Sequence, residues 1–189
     1  MPRHPAIVRI SHWINALSLV GLVVSGIAIL LAHPRLYWGE TGTVGTPSLI
    51  DLPLPFVLTG QTGWGRSLHF LTAWMCVGNG CIYAMAGLAA RHFGKGFLRY
   101  SALQRRVYLT VVFVLFPVII WTGLAMSPAV VSVFPGLAIL VGGQQSARTI
   151  HFFVASALVV FVAFHVAMVW RAGFAERTWA MIADRGEGT

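Results

Sequence analysis

Between Thr149 and Trp170 the chain runs without a single charged side chain, and a segment of that length is what a helix needs to cross the hydrocarbon of a bilayer. Three further stretches have the same character, so that four spans are expected at about Ile10–Ala32, Leu68–Ala90, Val107–Met126 and Ile150–Trp170. Only 10% of the residues are charged and the mean hydropathy is +0.78, which excludes an ordinary soluble domain. The sequence therefore predicts an all-α membrane protein. It reads as one domain over residues 1–189, a four-helix transmembrane bundle.

The formal charge of +8 raises the question of nucleic acid, but the basic residues flank the spans and form no compact patch with interleaved aromatics. Membrane topology accounts for them instead. Arg3 and Arg9, then Arg91, Lys95, Arg99, Arg105 and Arg106, then Arg171, Arg177 and Arg185 make up all but three of the thirteen lysines and arginines. The positive-inside rule places that side, and with it both termini, in the cytoplasm. Only Arg35, Arg66 and Arg148 remain for the outer side. The first apolar segment is too long for the core of a signal peptide and lacks a cleavage motif after it, so it is expected to stay as a helix.

The connections also carry information. Residues 33–65 form a long outer loop, opening His33-Pro-Arg-Leu-Tyr-Trp-Gly-Glu40, and a loop of that length is expected to be functional. Its aromatics suit a lipid-headgroup belt or a partner equally well. The segment Ser127 to Ala147 contains the apolar run Gly136–Val141, too short to span and expected as an interfacial or re-entrant piece before the fourth helix, or simply a loop. The tail, with Phe174, Trp179 and Ile182 among charges, reads as a short interfacial helix. Pro117 predicts a kink in the third span. Cys76 and Cys81 lie on different faces of the second span and read as packing residues. Gly21, Gly26, Gly78 and Gly80 read first as close-packing positions between helices, and second as room for a flat macrocycle.

Four histidines fall inside the spans, where ionisable groups are costly and point to function. His151 and His165 are fourteen residues apart, which on a helix leaves them about 40° from the same face and roughly 21 Å apart along the axis. His12 lies barely a turn inside the cytoplasmic surface, at the depth of His165. His69 lies barely a turn inside the outer surface, at the depth of His151. Two opposed imidazoles at one depth are the ligand set of a six-coordinate heme, whose work is one-electron transfer. No Cys-x-x-Cys-His attachment motif is present, so heme b is expected. A zinc or copper centre would need ligands converging at a single depth, which two pairs at opposite faces do not offer. His4, His33 and His92 lie outside the spans and read as surface histidines.

Arginines precede three of these histidines by three residues: Arg9 before His12, Arg66 before His69 and Arg148 before His151. Each shares a helix face with its histidine, one turn nearer water, where heme propionates would point. Each also sits at a helix N-terminus, where the macrodipole disfavours a cation. An anionic partner would offset that cost. The competing reading is a snorkelling anchor at the helix end.

Arg9-Ile-Ser-His12-Trp13, His69 in the second span, Tyr108 through Thr122-Gly123 to Pro128, and His151 with His165 together resemble the di-heme b-type membrane cytochromes of formate dehydrogenase, nickel-iron hydrogenase and thiosulfate reductase, related to bacterial cytochrome b561. The resemblance covers all four spans. It implies that His12 and His165 are the axial metal ligands of a cytoplasmic-side heme and His69 and His151 those of an outer one. It further implies a multi-pass protein of the bacterial inner membrane, in contact with lipid, passing electrons between an outer-face (periplasmic) redox subunit and the respiratory quinone pool. That subunit would be a molybdenum or iron-sulfur oxidoreductase, molybdenum fitting the thiosulfate-reductase-like outer loops best. Gln104 and Tyr108 are the candidates for a quinone contact. The alternative is a stand-alone cytochrome b561-type superoxide:quinone oxidoreductase, and a third class, a structural or transport protein without cofactor, predicts a colourless preparation.

Overall fold

A computed structural model describes residues 5–43, 45–54, 62–89 and 102–182. The sequence readings that involve Arg3, His4, Arg91, His92, Lys95, Arg99 and Arg185 lie outside these residues. Helix α1 covers Ala6–Ala32 and α2 Thr62–Ala89; α3 (Ala102–Thr110) continues through a π-helical turn, Val111–Leu115, into α4 (Phe116–Ala125). Two single-turn helices follow, α5 (Pro128–Val131) and α6 (Gly136–Ile139), then α7 (Gln144–Arg171) and α8 (Phe174–Ile182). Among the described residues, α1, α2, the continuous α3–α4 and α7 are the four helices long and apolar enough to cross a membrane. Each expected span is thus a helix, and each begins about one turn or more before the apolar run does, because a helix can extend past the hydrocarbon, where the orphan amides of its first turn find polar partners.

Side-chain polarity is distributed as a lipid solvent requires. Ser11, Ser18, Ser25, Thr72, Asn79, Thr122 and Thr149 are buried, while Leu17, Val20, Val24, Leu71, Phe113 and Phe164 face outward. In water this would be inside out. In a bilayer the outward apolar surface costs nothing, and small polar residues let helices approach and bond. The expected kink at Pro117 takes the form of the π-helical turn just before it. Proline has no N–H for the carbonyl four residues back, and the ladder slips by one residue, with Phe116 N–H donating to the Val111 carbonyl.

The chain forms two compact units, one drawn from Met1–Ala28, Thr62–Lys95 and Phe161–Thr189, the other from Ile29–Gln61 and Gly96–Val160. In the first, α1 and α2 run antiparallel along the serine face. Asn79 Nδ2 donates to the Ser11 carbonyl at 3.0 Å and to Asn15 Oδ1 at 2.8 Å, and the Cys76 thiol lies 3.7 Å from the same Asn15 oxygen. A Cβ on Gly21 would come within 2.5 Å of Thr72 Cγ2, so this glycine is a close-packing position. Gly78 and Gly80 face open space among the described residues, and the packing expected of them is not found there. Helix α8 is the short amphipathic helix expected of the tail, and Trp13 Nε1 donates to its Met181 carbonyl at 3.0 Å.

In the second unit the segment after α1 carries a two-residue antiparallel pair, β1 (Arg35–Leu36) with β2 (Ile50–Asp51). Arg35 Nε bonds Asp51 Oδ2 at 3.1 Å, and this carboxylate holds the guanidinium pKa above its ordinary value. The loop aromatics do not act together as a belt. Leu36 and Tyr37 are buried and Trp38 is exposed, because Tyr37 is tied into the fold: its carbonyl accepts from Thr149 Oγ1 at 2.6 Å and its hydroxyl donates to the Thr43 carbonyl at 3.2 Å. Next to it the Gly39 carbonyl accepts from the amides of Gln145 and Ser146, and the Gly39 amide donates to Ser146 Oγ at 2.8 Å. These bonds satisfy first-turn amides of α7 that no intrahelical carbonyl can reach. The segment Gly136–Val141 is a helical turn and not a loop: Ala138 packs with Ala125 and Ala147 in a small core, and Trp121 Nε1 donates to the Leu137 carbonyl at 3.1 Å.

Candidate cofactor-binding histidines

Each of the four histidines sits on a long helix: His12 on α1, His69 on α2, His151 and His165 on α7. His69 and His151 are half-buried, whereas His12 and His165 are exposed. Their surroundings differ in kind. His69 Nδ1 lies 2.9 Å from Ser25 Oγ, and that hydroxyl also lies 2.6 Å from the Gly21 carbonyl one turn back. His151 Nδ1 lies 3.0 Å from Thr122 Oγ1, which in turn lies 2.7 Å from the Val118 carbonyl. Glycines follow both hydroxyl residues. A Cβ on Gly26 would be 3.8 Å from His69 Cε1, and one on Gly123 would be 3.5 Å from His151 Cε1. Gly26 is therefore not a position of close backbone approach; it faces the edge of the His69 imidazole, with room for a methyl group between them.

His12 meets Trp13 edge to face at a centroid distance of 5.4 Å, and His165 stacks on Phe161 at 6.3 Å. His12 also opens on a cavity of about 210 Å³ that Asn15, Tyr83 and Met181 help to line. An imidazole with one nitrogen occupied by a hydroxyl can offer the other to iron, which is how metal-bound histidines are ordinarily held. The donor set at His69 and His151 fits axial ligation of heme on that ground. Heme would supply a reversible one-electron iron couple there.

The arginines keep the predicted spacing, since residues 9–12, 66–69 and 148–151 are all helical. Arg66 is exposed and Arg9 half-buried. Arg148, also half-buried, donates through Nη2 to the backbone carbonyl of His33, so part of its fork ties the segment after α1 to α7. A guanidinium has five N–H donors, and the remaining ones keep a propionate contact open. Gln104 and Tyr108 are exposed on one face of α3.

Ser25 and Thr122 were not among the residues that sequence reasoning singled out for the site. Their signal is a hydroxyl residue placed directly before glycine inside an apolar span, Ser25-Gly26 and Thr122-Gly123. A second signal is the serine at every seventh position of α1, Ser11, Ser18 and Ser25, all buried. Neither carries chemistry until a histidine from another helix is seen beside it.

The family described as prokaryotic cytochrome b561 matches residues 3–183. A protein of Azospira oryzae that carries the provisional name of protein-methionine-sulfoxide reductase subunit YedZ1 is 31% identical over 191 residues, covering 88% of this chain and 89% of the relative. No solved structure matches the chain.

Proposed function

We propose, from the premise that this chain belongs to the prokaryotic cytochrome b561 family, that its four intramembrane histidines hold two b hemes in tandem and connect an outer-face redox subunit with the quinone pool. Membership makes the chain a multi-pass bacterial membrane protein that transfers electrons across the membrane by means of heme b. The finer reading assigns His12 with His165 to a cytoplasmic-side heme and His69 with His151 to an outer one, both termini being cytoplasmic. The observation that carries it is the shared arrangement of His69 and His151, each with Nδ1 beside the hydroxyl of a residue on another helix.

Arg66 and Arg148 take the propionates of the outer heme, and Arg9 those of the inner one. Quinone is assigned to the cytoplasmic side, near Gln104 and Tyr108. The partner carries out substrate chemistry outside, as a molybdenum-type oxidoreductase subunit. The Azospira relative, named as the subunit of a reductase, supports a division of labour of this kind.

The purified chain should show two hemes b per polypeptide by pyridine hemochrome and reduced-minus-oxidised spectra. His12→Ala and His165→Ala should each remove the same spectral component, and His69→Ala and His151→Ala the other. One heme per chain, or loss of both from one substitution in a folded protein, would break the assignment. Rapid superoxide-dependent quinone reduction by a chain that never co-purifies with a redox protein would replace the partner reading with the stand-alone oxidoreductase.

A further inference from the structure

Asn15 on α1 and Asn79 on α2 fix each other's orientation. Asn79 Nδ2 lies 3.0 Å from the Ser11 carbonyl and 2.8 Å from Asn15 Oδ1. A backbone carbonyl only accepts, so the group of Asn79 that faces it has to be the NH2, and both N–H bonds of that group are then in use. The atom of Asn15 that faces Asn79 therefore has to be the oxygen. The Cys76 thiol, 3.7 Å from the same oxygen, agrees with this. The Asn15 NH2 is thereby turned to the other side, where its N–H bonds meet no acceptor among the described residues.

Asn15 is exposed, but its depth places it in lipid and not in water. It stands about 13 Å along a helix of about 40 Å, against a hydrocarbon core of roughly 30 Å, and so lies inside the apolar layer. An amide N–H left without an acceptor there is costly. What adjoins it is the cavity of about 210 Å³ whose wall Asn15 shares with Val8, Ser11, His12, Tyr83 and Met181. The bond from Trp13 Nε1 to the Met181 carbonyl holds α8 at this wall.

We propose that this cavity seats the ring of a quinone and that Asn15 Nδ2 donates to one of its carbonyl oxygens. The proposal rests on the reading of His12 as a heme ligand on the quinone side of the membrane, and it adds to Gln104 and Tyr108 a seat for the ring itself. The composition of the wall selects the chemistry. No lysine, arginine, aspartate or glutamate lines it, so a propionate, a phosphate or a cation finds no counter-charge there. Val8 and Met181 call for an apolar body, and the amide calls for an acceptor. A neutral ring carrying carbonyl oxygens meets both demands, whereas water meets only the second. His12 on the same wall brings that ring against an axial ligand of the heme with which it exchanges electrons.

The test uses the heme-loaded chain in lipid nanodiscs, with decylubiquinone and menadione labelled with ¹³C at the carbonyls. On the unsubstituted chain one carbonyl stretch of the bound quinone should move to lower frequency in the infrared difference spectrum. Asn15→Leu should abolish that shift and weaken binding roughly threefold to tenfold, as for one ordinary hydrogen bond. Val8→Phe fills the cavity without touching the Asn15–Asn79 pair, and it should weaken binding at least as much. Both hemes should stay at full content in the two variants. Binding of neither quinone by the unsubstituted chain would refute the quinone reading and this seat with it. Binding with an unshifted carbonyl, or binding untouched by Asn15→Leu and Val8→Phe, would overturn the seat alone. So would loss of heme from Asn15→Leu at unchanged quinone affinity, which would assign the cavity to the heme. A shift that survives Asn15→Leu and disappears in Gln104→Ala or Tyr108→Phe would overturn it in favour of α3.

Discussion

Gly143 and Gly39 meet backbone to backbone: a Cβ on Gly143 would stand 2.5 Å from the carbonyl carbon and oxygen of Gly39. Both have left-handed φ, +108° and +102°, but only Gly143 combines that with a steric block, since a Cβ on Gly39 meets nothing within 4 Å. Gly39→Ala should therefore cost only the left-handed strain, about 1–2 kcal/mol. Gly143→Ala should cost that plus about 1–3 kcal/mol of forced displacement. Thermal unfolding in detergent should rank the two in this order.

Arg66 and Arg148 are the two arginines assigned to the outer heme, and Arg148 also holds the loop after α1. Replacing Arg66 by Leu should lower the midpoint potential of the outer heme, because a nearby cation favours the reduced, less positive iron, with a change on the order of tenfold in the one-electron equilibrium. Arg148→Leu should do the same and also release the His33 carbonyl. It should therefore raise hydrogen exchange around His33 in the loop after α1.

The Asn79–Asn15 bond is an interhelical amide pair inside the first unit, with Asn79 at 8% exposure. Such pairs in membranes contribute about 0.6 kcal/mol, up to about 1.7. Asn79→Ala should exceed that range modestly, since it also deprives the Ser11 carbonyl of a donor. A double-mutant cycle with Asn15→Ala, read by unfolding in mixed micelles, should show coupling between the two positions and additivity with a distant change such as Phe164→Leu.

Trp13 holds α8 by one hydrogen bond to Met181. Trp13→Phe keeps the ring and removes the donor. The Phe174–Ile182 helix should then exchange its amides faster, by roughly fivefold to tenfold for a bond of about 1 kcal/mol, while heme content stays unchanged.

The spans were legible because their signal is local: hydrophobic length needs no knowledge of neighbours. The four histidines were legible for the opposite reason, since a polar ring in an apolar run is conspicuous by cost. The role of Gly26 was not, because a glycine in a span reads the same whether it faces a helix, a ring or lipid; only the His69 edge beside it decides. Tyr37 was open to two readings for a related reason. Beside Trp38 it suited a headgroup belt or a partner equally, but Tyr37 is buried next to Leu36 while Trp38 is exposed, and the bonds of Tyr37 to Thr149 and Thr43 that accompany its burial are not reported by any local pattern. Ser25 and Thr122 required a partner from another helix, and no spacing along one helix reports that.

The π-helical turn at Val111–Leu115 makes the third span a matter of residue count as well as residue type. One extra residue in a helix rotates everything beyond it by about 100°. Tyr108 lies on one side of the turn and Thr122 on the other, so a single deletion between them would swing one of the two away from its present direction while leaving every remaining side chain chemically unchanged. Length, in this span, is the address by which a hydroxyl finds His151, and a one-residue deletion would disturb that address more than any conservative substitution along it.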